Sequence, residues 1–168
     1  ETKNRTSISS GTTTVSYAAI QYIKNHYSKK HPKKILVYGL GDIDQSTARS
    51  CAEYLDAHEI TIINRTEGVA IELAKEIKVE MAPHQDLVHH VKASDIVIVA
   101  TGASSPTVTS DMISDEKEQL IIDLSIPRNA DPDINKSDSI TIIDVDVLSK
   151  KTKETLKERK KQIPLVEE

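Results

Sequence analysis

The sequence predicts an α/β fold: a doubly wound parallel sheet with a helix ahead of it and a charged helix behind it. Three observations carry this expectation. Short runs rich in Ile and Val alternate with stretches of helical period, the pattern of parallel strands joined by right-handed helical crossovers. The 168 residues include no Phe and no Trp, so the core falls to Ile, Val, Leu and Ala, which suits strands buried on both faces. Gly39 and Gly41 directly follow the first of these runs, where a strand turns into a helix. Together these marks specify the Rossmann type within the α/β class.

The elements follow in order. Val15, Ala18, Ala19, Tyr22, Ile23 and Tyr27 recur at helical spacing, so residues 13–28 read as an amphipathic helix. Ser10, Thr12 or Thr13 would cap it. A polar link containing Pro32 leads to a first strand over 34–38. Residues 43–57 read as a helix with Ala48, Cys51, Ala52 and Leu55 on one face, and 59–64 as a strand. A helix over 67–77, a short strand over 79–81, a helix over 84–93 and a buried strand over 95–100 come next. A short helix near 110–113 precedes a strand over 120–124. A last strand, 140–143, runs into a charged helix over about 145–163.

The length suits one domain that buries enough apolar surface to fold without a metal or disulfide. It divides into an N-terminal helical arm over 1–33, a Rossmann core over 34–144 and the start of a linker helix over 145–168. A formal net charge of −4 gives no global basic field for nucleic acid. One cysteine makes no internal bridge and fits a reducing, cytoplasmic setting. No apolar run is long enough for a membrane span, and no signal peptide is expected. A start at Glu1 without Met and a charged end read as part of something longer.

The turn Gly39-Leu40-Gly41-Asp42-Ile43-Asp44 is the candidate phosphate loop. Its first glycine permits the tight turn, its second lets the backbone approach a pyrophosphate, and free N–H groups at the helix start bind the phosphates. Asp44 stands where a third glycine would be. An acid there stabilises the first helical turn, yet it repels a phosphate at ~6 Å by about 1 kcal/mol. It therefore weakens cofactor affinity more than it disturbs the fold. At the end of the second strand, where an NAD-specific domain carries an acid for the ribose hydroxyls, the sequence has Asn64-Arg65-Thr66. Asn64 is neutral, and Arg65 offers a planar charged fork for a 2′-phosphate. Thr66 adds a hydroxyl and also suits a helix cap. The expected cofactor is NADP(H). Thr101-Gly102-Ala103 follow the fourth strand at the carboxyl edge. They read as close backbone contacts to the ribose or nicotinamide half, or as a plain turn.

Other residues invite chemistry without supporting it. Cys51 lies on the apolar face of a helix and reads as a small buried hydrophobe. His84, His89 and His90 lack the i, i+4 spacing of helical metal pairs, so no metal is expected. Asp123 ends the fifth strand and reads as a structural carboxylate accepting loop N–H groups. Pro127-Arg128 and Pro132 read as an ordered loop.

These residues also carry a resemblance that runs from about Thr6 to the C-terminus. Val15-Ser16-Tyr17-Ala18-Ala19, the turn from Gly39 to Asp44, Asn64-Arg65-Thr66 and Ala100-Thr101-Gly102-Ala103 with Pro106 belong to it. So do Asp123, Ile126-Pro127-Arg128, Asp131-Pro132 and Asp144-Val145-Asp146. The chain resembles the NADPH-binding domain of glutamyl-tRNA reductases, which make glutamate semialdehyde for tetrapyrrole (porphyrin) synthesis. The resemblance implies that NADPH delivers hydride to a thioester formed on a cysteine of an N-terminal domain. That domain, which would engage glutamyl-tRNA, is absent from this sequence, as is the domain through which the full-length protein would form a homodimer. No catalytic residue and no direct nucleic-acid site are expected in this chain. Two further readings stand beside it: a shikimate-type NADP-dependent dehydrogenase fragment, whose cofactor domain also uses an Asn-Arg-Thr element, and a non-catalytic NADP-binding module.

Overall fold

The computed structural model describes residues 15–27, 30–39, 45–56, 58–101, 107–114, 116–125, 129–136, 138–148 and 150. Six strands form one sheet: β1 (Lys34–Tyr38), β2 (Glu59–Ile63), β3 (Glu80–Met81), β4 (Ile96–Val99), β5 (Gln119–Asp123) and β6 (Ile140–Asp144). Their spatial order is β3-β2-β1-β4-β5-β6, and every pairing is parallel. The chain runs outward from β1 through β2 to β3, crosses back beside β1 as β4, and runs outward again. The strand order thus reverses between β1 and β4, the place where an open α/β sheet forms its ligand crevice. The predicted fold class is the observed one.

Helices cover both faces. Helix α1 covers residues 15–26, followed by α2 (Ser46–Tyr54), α3 (Glu67–Ile77) and α4 (Leu87–Ala93), and α5 begins at residue 145. On one face, Ile35, Val37, Ile60, Ile62, Ile96 and Ile98 pack under α1, α2 and α3. On the other, Leu36, Tyr38, Val97, Val99 and Ile121 meet Leu87 and Val91 of α4. Alternate residues of the same strands serve the two cores, which is why the strands read as unbroken apolar runs.

Local sequence accounts for most element limits. Ala70, Leu73 and Ala74 put a narrow apolar stripe on α3. The helix ends where Lys78 turns to φ 59° and its N–H reaches the Ala74 carbonyl. A lysine in that left-handed conformation costs about 1 kcal/mol relative to the usual glycine. Ser16 of α1 shares its hydroxyl with Thr47 at 2.8 Å and Ser46 at 3.2 Å, tying α1 to the start of α2. Most strand limits shift by a residue from expectation, and three elements differ more. Within the described residues α2 spans Ser46–Tyr54 rather than 43–57, because Leu55 already leaves helical geometry. The segment over 84–93 opens with a 3₁₀ turn, His84–Asp86, before α4 begins. A further 3₁₀ turn, Pro132–Lys136, falls where only a loop is read; the Asp131 carboxylate accepts the Asp133 N–H and its carbonyl accepts that of Ile134, closing the turn locally. The expected charged C-terminal helix lies outside the described residues beyond residue 150. No helix among the described residues is long and apolar enough to cross a membrane.

Candidate dinucleotide site

The site begins where β1 ends. Gly39 has φ +94°, and a Cβ there would come within 2.7 Å of the Ala100 backbone and of the Thr101 side chain. Its N–H donates to the Ile63 carbonyl at 2.9 Å, and the Ala100 N–H donates to the Tyr38 carbonyl at 2.8 Å. The ends of β1, β2 and β4 are therefore laced together by backbone, with glycine required at the centre both for its conformation and for the space. Leu40, Gly41, Asp42, Ile43 and Asp44, the rest of the candidate phosphate loop, lie outside the described residues, as do Gly102 and Ala103. Helix α2 follows the loop in sequence and packs in the same core as Ile35 and Val37 of β1.

At the end of β2, Asn64 Nδ2 donates to the Thr66 carbonyl at 3.1 Å, folding the turn back on itself. Thr66 takes the N-cap position of α3, but its side chain makes no capping hydrogen bond, so the capping role open to it in the sequence is not filled. Neither the Arg65 guanidinium nor the Thr66 hydroxyl has a hydrogen bond or ion pair among the described residues. Both are exposed. Glu67, the first residue of α3, accepts the His84 N–H on Oε1 at 3.2 Å, which joins the loop after β3 to the start of α3.

At the ends of β4 and β5 a network appears that local sequence does not reveal. Asp123 is 1% exposed and accepts three backbone N–H groups, from Ser125 at 3.0 Å and from Asn129 and Ala130 at 2.8 Å each. This is the structural carboxylate expected there. Asn129 is completely buried, and its Oδ1 accepts the Thr107 hydroxyl at 2.8 Å and also the Thr101 hydroxyl. The Thr101 N–H donates to the Ser125 hydroxyl at 3.0 Å. One amide oxygen thus holds both threonines that bracket 102–106, and Asp123 holds that amide's own backbone. Asn129, Ser125 and Thr107 were not legible as site residues, since each acts through partners more than 20 positions away.

The remaining candidates have structural surroundings. Cys51 is buried, and burial pushes its thiol up to about 12, so it is an inert core thiol. His84 pairs with Tyr38, and His89 and His90 meet ring edge to face. Among the described residues no group of three His, Cys, Asp or Glu is placed to hold a metal ion. A cavity of about 450 Å³ opens at the opposite, amino edge, lined by His58, Glu59, Lys78 and His90 among others. It is remote from the Gly39 turn and belongs to a different end of the strands.

The family model described as shikimate/quinate 5-dehydrogenase matches residues 21–151. The chain belongs to that family. The match takes in every strand of the sheet. Glutamyl-tRNA reductases are among its relatives. A glutamyl-tRNA reductase of Christiangramia forsetii is 41% identical over 166 residues, 99% of this chain and 40% of that protein. One of Flavobacterium psychrophilum is 38% identical, over 98% of this chain and 40% of its own length. The solved glutamyl-tRNA reductase from Methanopyrus kandleri superposes with a TM-score of 0.76 at 29% identity, over 91% of this chain and 40% of that one. The nucleotide binding domain of the Thermoplasma volcanium glutamyl-tRNA reductase has a TM-score of 0.66 at 21% identity, over 87% of this chain and 96% of that one, a likeness of fold. The resemblance to glutamyl-tRNA reductases is thereby borne out and favoured over a shikimate dehydrogenase proper. The chain spans about two-fifths of the length of the curated relatives it matches.

Proposed function

We propose that this chain is the NADPH-binding domain of a glutamyl-tRNA reductase acting in the cytoplasm in tetrapyrrole synthesis. One observation carries the choice of cofactor: the Arg65 guanidinium and the Thr66 hydroxyl have no partners among the described residues, at a strand end that carries Asn64 in place of an acid. An exposed arginine alone is ordinary. Beside a neutral strand end, with a threonine relieved of capping and the N–H groups of α3 behind it, it suits a 2′-phosphate. To this reading belong Gly39, Leu40, Gly41, Asp42, Ile43 and Asp44 for the pyrophosphate, Asn64, Arg65 and Thr66 for the adenosine end, and Thr101, Gly102 and Ala103 for the nicotinamide half. The Asn129 and Asp123 network supports it by holding Thr101 firmly at that end.

Bound NADPH supplies the hydride. This chain's residues bind and orient it. The thioester-forming cysteine and the glutamyl-tRNA contacts fall to an N-terminal domain of the longer protein, and a homodimer to the part beyond the last helix, as the relatives' greater length accommodates. The test is calorimetric titration of the chain with NADPH and with NADH. NADPH binds more tightly, and Arg65→Ala narrows the gap by roughly 1–3 kcal/mol, the scale of a hydrogen bond to a charged group, with the melting temperature unchanged. Equal affinity for the two cofactors in the unaltered chain overturns the reading.

A further inference from the structure

A pair of side chains crosses the end of β2 directly beside this turn. Tyr38, the last residue of β1, aligns with Ile63, the last of β2. On the far side of β2, Ala82 donates its N–H to the Ile62 carbonyl, so His84 lies level with the residues that leave β2. Tyr38 Oη and His84 Nε2 are nevertheless 3.0 Å apart, with ring centroids 5.8 Å apart. The Tyr38 ring therefore spans the end of β2 on the α4 face, where it packs with Ile63, Ala82 and Leu87. Asn64 and Arg65 emerge just beyond it.

The two rings differ in surroundings. Tyr38 is 3% exposed, whereas His84 is half-buried. Among the described residues the phenol has no other hydrogen-bond partner and His84 Nδ1 has none. Burial pushes the Tyr38 phenol up, and the Arg65 charge draws it partly back; Arg65 follows two positions after Ile63, the residue paired with Tyr38 in the sheet. In the arrangement in which the phenol donates and imidazole Nε2 accepts, the ring hydrogen is left on Nδ1. The His84 backbone is held in turn by Glu67, so neither the ring nor its main chain is free to swing.

We propose that His84, oriented by Tyr38, is a second binding group for the 2′-phosphate of the cofactor, acting beside Arg65. It offers one N–H to an anion whose other contacts come from the guanidinium and the Thr66 hydroxyl. His84 then contributes to the choice of a phosphorylated over an unphosphorylated adenosine, and Tyr38 is a positioning residue. The inference rests on the reading of Arg65 given above.

Two fragments isolate the adenosine end: adenosine 2′,5′-bisphosphate and adenosine 5′-monophosphate, titrated into the 168-residue chain by calorimetry. His84→Ala weakens the bisphosphate roughly tenfold and the monophosphate less than about twofold, the scale of a lost charge-assisted hydrogen bond. Tyr38→Phe keeps the ring and its packing, removes the hydroxyl, and weakens the bisphosphate about threefold with the monophosphate unchanged. Thermal melting of both variants verifies that each is folded. Equal losses for the two ligands, or no loss in His84→Ala, overturn the proposal. A loss in His84→Ala without one in Tyr38→Phe overturns the positioning role of the tyrosine. If the unaltered chain does not distinguish the two ligands, the Arg65 reading falls first, and that result is separate from the behaviour of the variants.

Discussion

The two edges of the sheet treat their polar side chains differently. At the amino edge these groups turn inward and close the backbone. Gln119, 3% exposed, donates to the Val91 and Ser94 carbonyls at 2.7 and 2.8 Å and accepts the Ser114 N–H at 2.9 Å. Asp95 accepts the Lys34 N–H, and Lys117 reaches the Ala93 carbonyl. His58 Nδ1 accepts the Lys33 N–H at 2.9 Å. The carboxyl edge is divided. Around β5 it is closed in the same manner by Asp123 and Asn129, whereas at β2 the Arg65 and Thr66 side chains make no hydrogen bond among the described residues. Buried polar groups are satisfied nearly everywhere because leaving them bare costs about 1–3 kcal/mol each. A strand end with open donors, next to one held this tightly, has the character of a binding edge mounted on a rigid frame.

The largest expected effect lies at the joint of the two halves of the carboxyl edge. Gly39→Ala introduces a Cβ against the Ala100 backbone and requires positive φ. It should lower stability by about 2–4 kcal/mol, combining backbone strain and overpacking, and abolish NADPH binding. Urea denaturation and calorimetry read the two losses separately; binding retained at full affinity would show that the turn is not part of the site. Gln119→Ala sharpens the contrast from the other end. Two buried backbone carbonyls and the half-buried Ser114 N–H lose their partner, so stability should drop by about 2–3 kcal/mol while the folded fraction binds nucleotide with unchanged affinity. A changed affinity would mean that the two edges are coupled through β5.

The smallest effect concerns pH and is confined to the amino edge. Burial, and then the Lys33 charge, hold the His58 imidazole below its ordinary value of 6.5. As acid is added, the unfolded chain takes up this proton first. His58 therefore contributes stability that is present above about pH 6.5 and is lost as pH falls toward its folded value. Melting temperatures of the unaltered chain and His58→Asn, compared between about pH 7 and pH 5, should show a shallower decline in the variant. Parallel curves would assign the acid sensitivity to another group.

Much of this was legible in the sequence where the cause is local. The expected limits of β1 and α3 coincide with Lys34–Tyr38 and Glu67–Ile77, because an Ile/Val run bounded by glycine and a period-3.6 stripe leave little choice. Asn64, Arg65 and Thr66 stood out because their meaning depends only on following a strand. The 3₁₀ turn at Pro132–Lys136 passed as loop, since a one-turn element carries no periodicity.

Sequence by itself determined the α/β class, the alternation of elements, the two-sided burial of the strands and the turns at which a nucleotide would meet backbone. Each of these follows from side-chain period or from glycine chemistry acting over a few residues. Only the tertiary structure decided that Asn129 governs Thr101, 28 positions away, that Tyr38 reaches His84 across β2, 46 positions away, and that Thr66 leaves α3 uncapped. The physical reason is that hydrogen bonds between strand ends depend on which strands lie side by side. In a parallel sheet those neighbours are brought together by crossovers whose destinations no short stretch of sequence encodes.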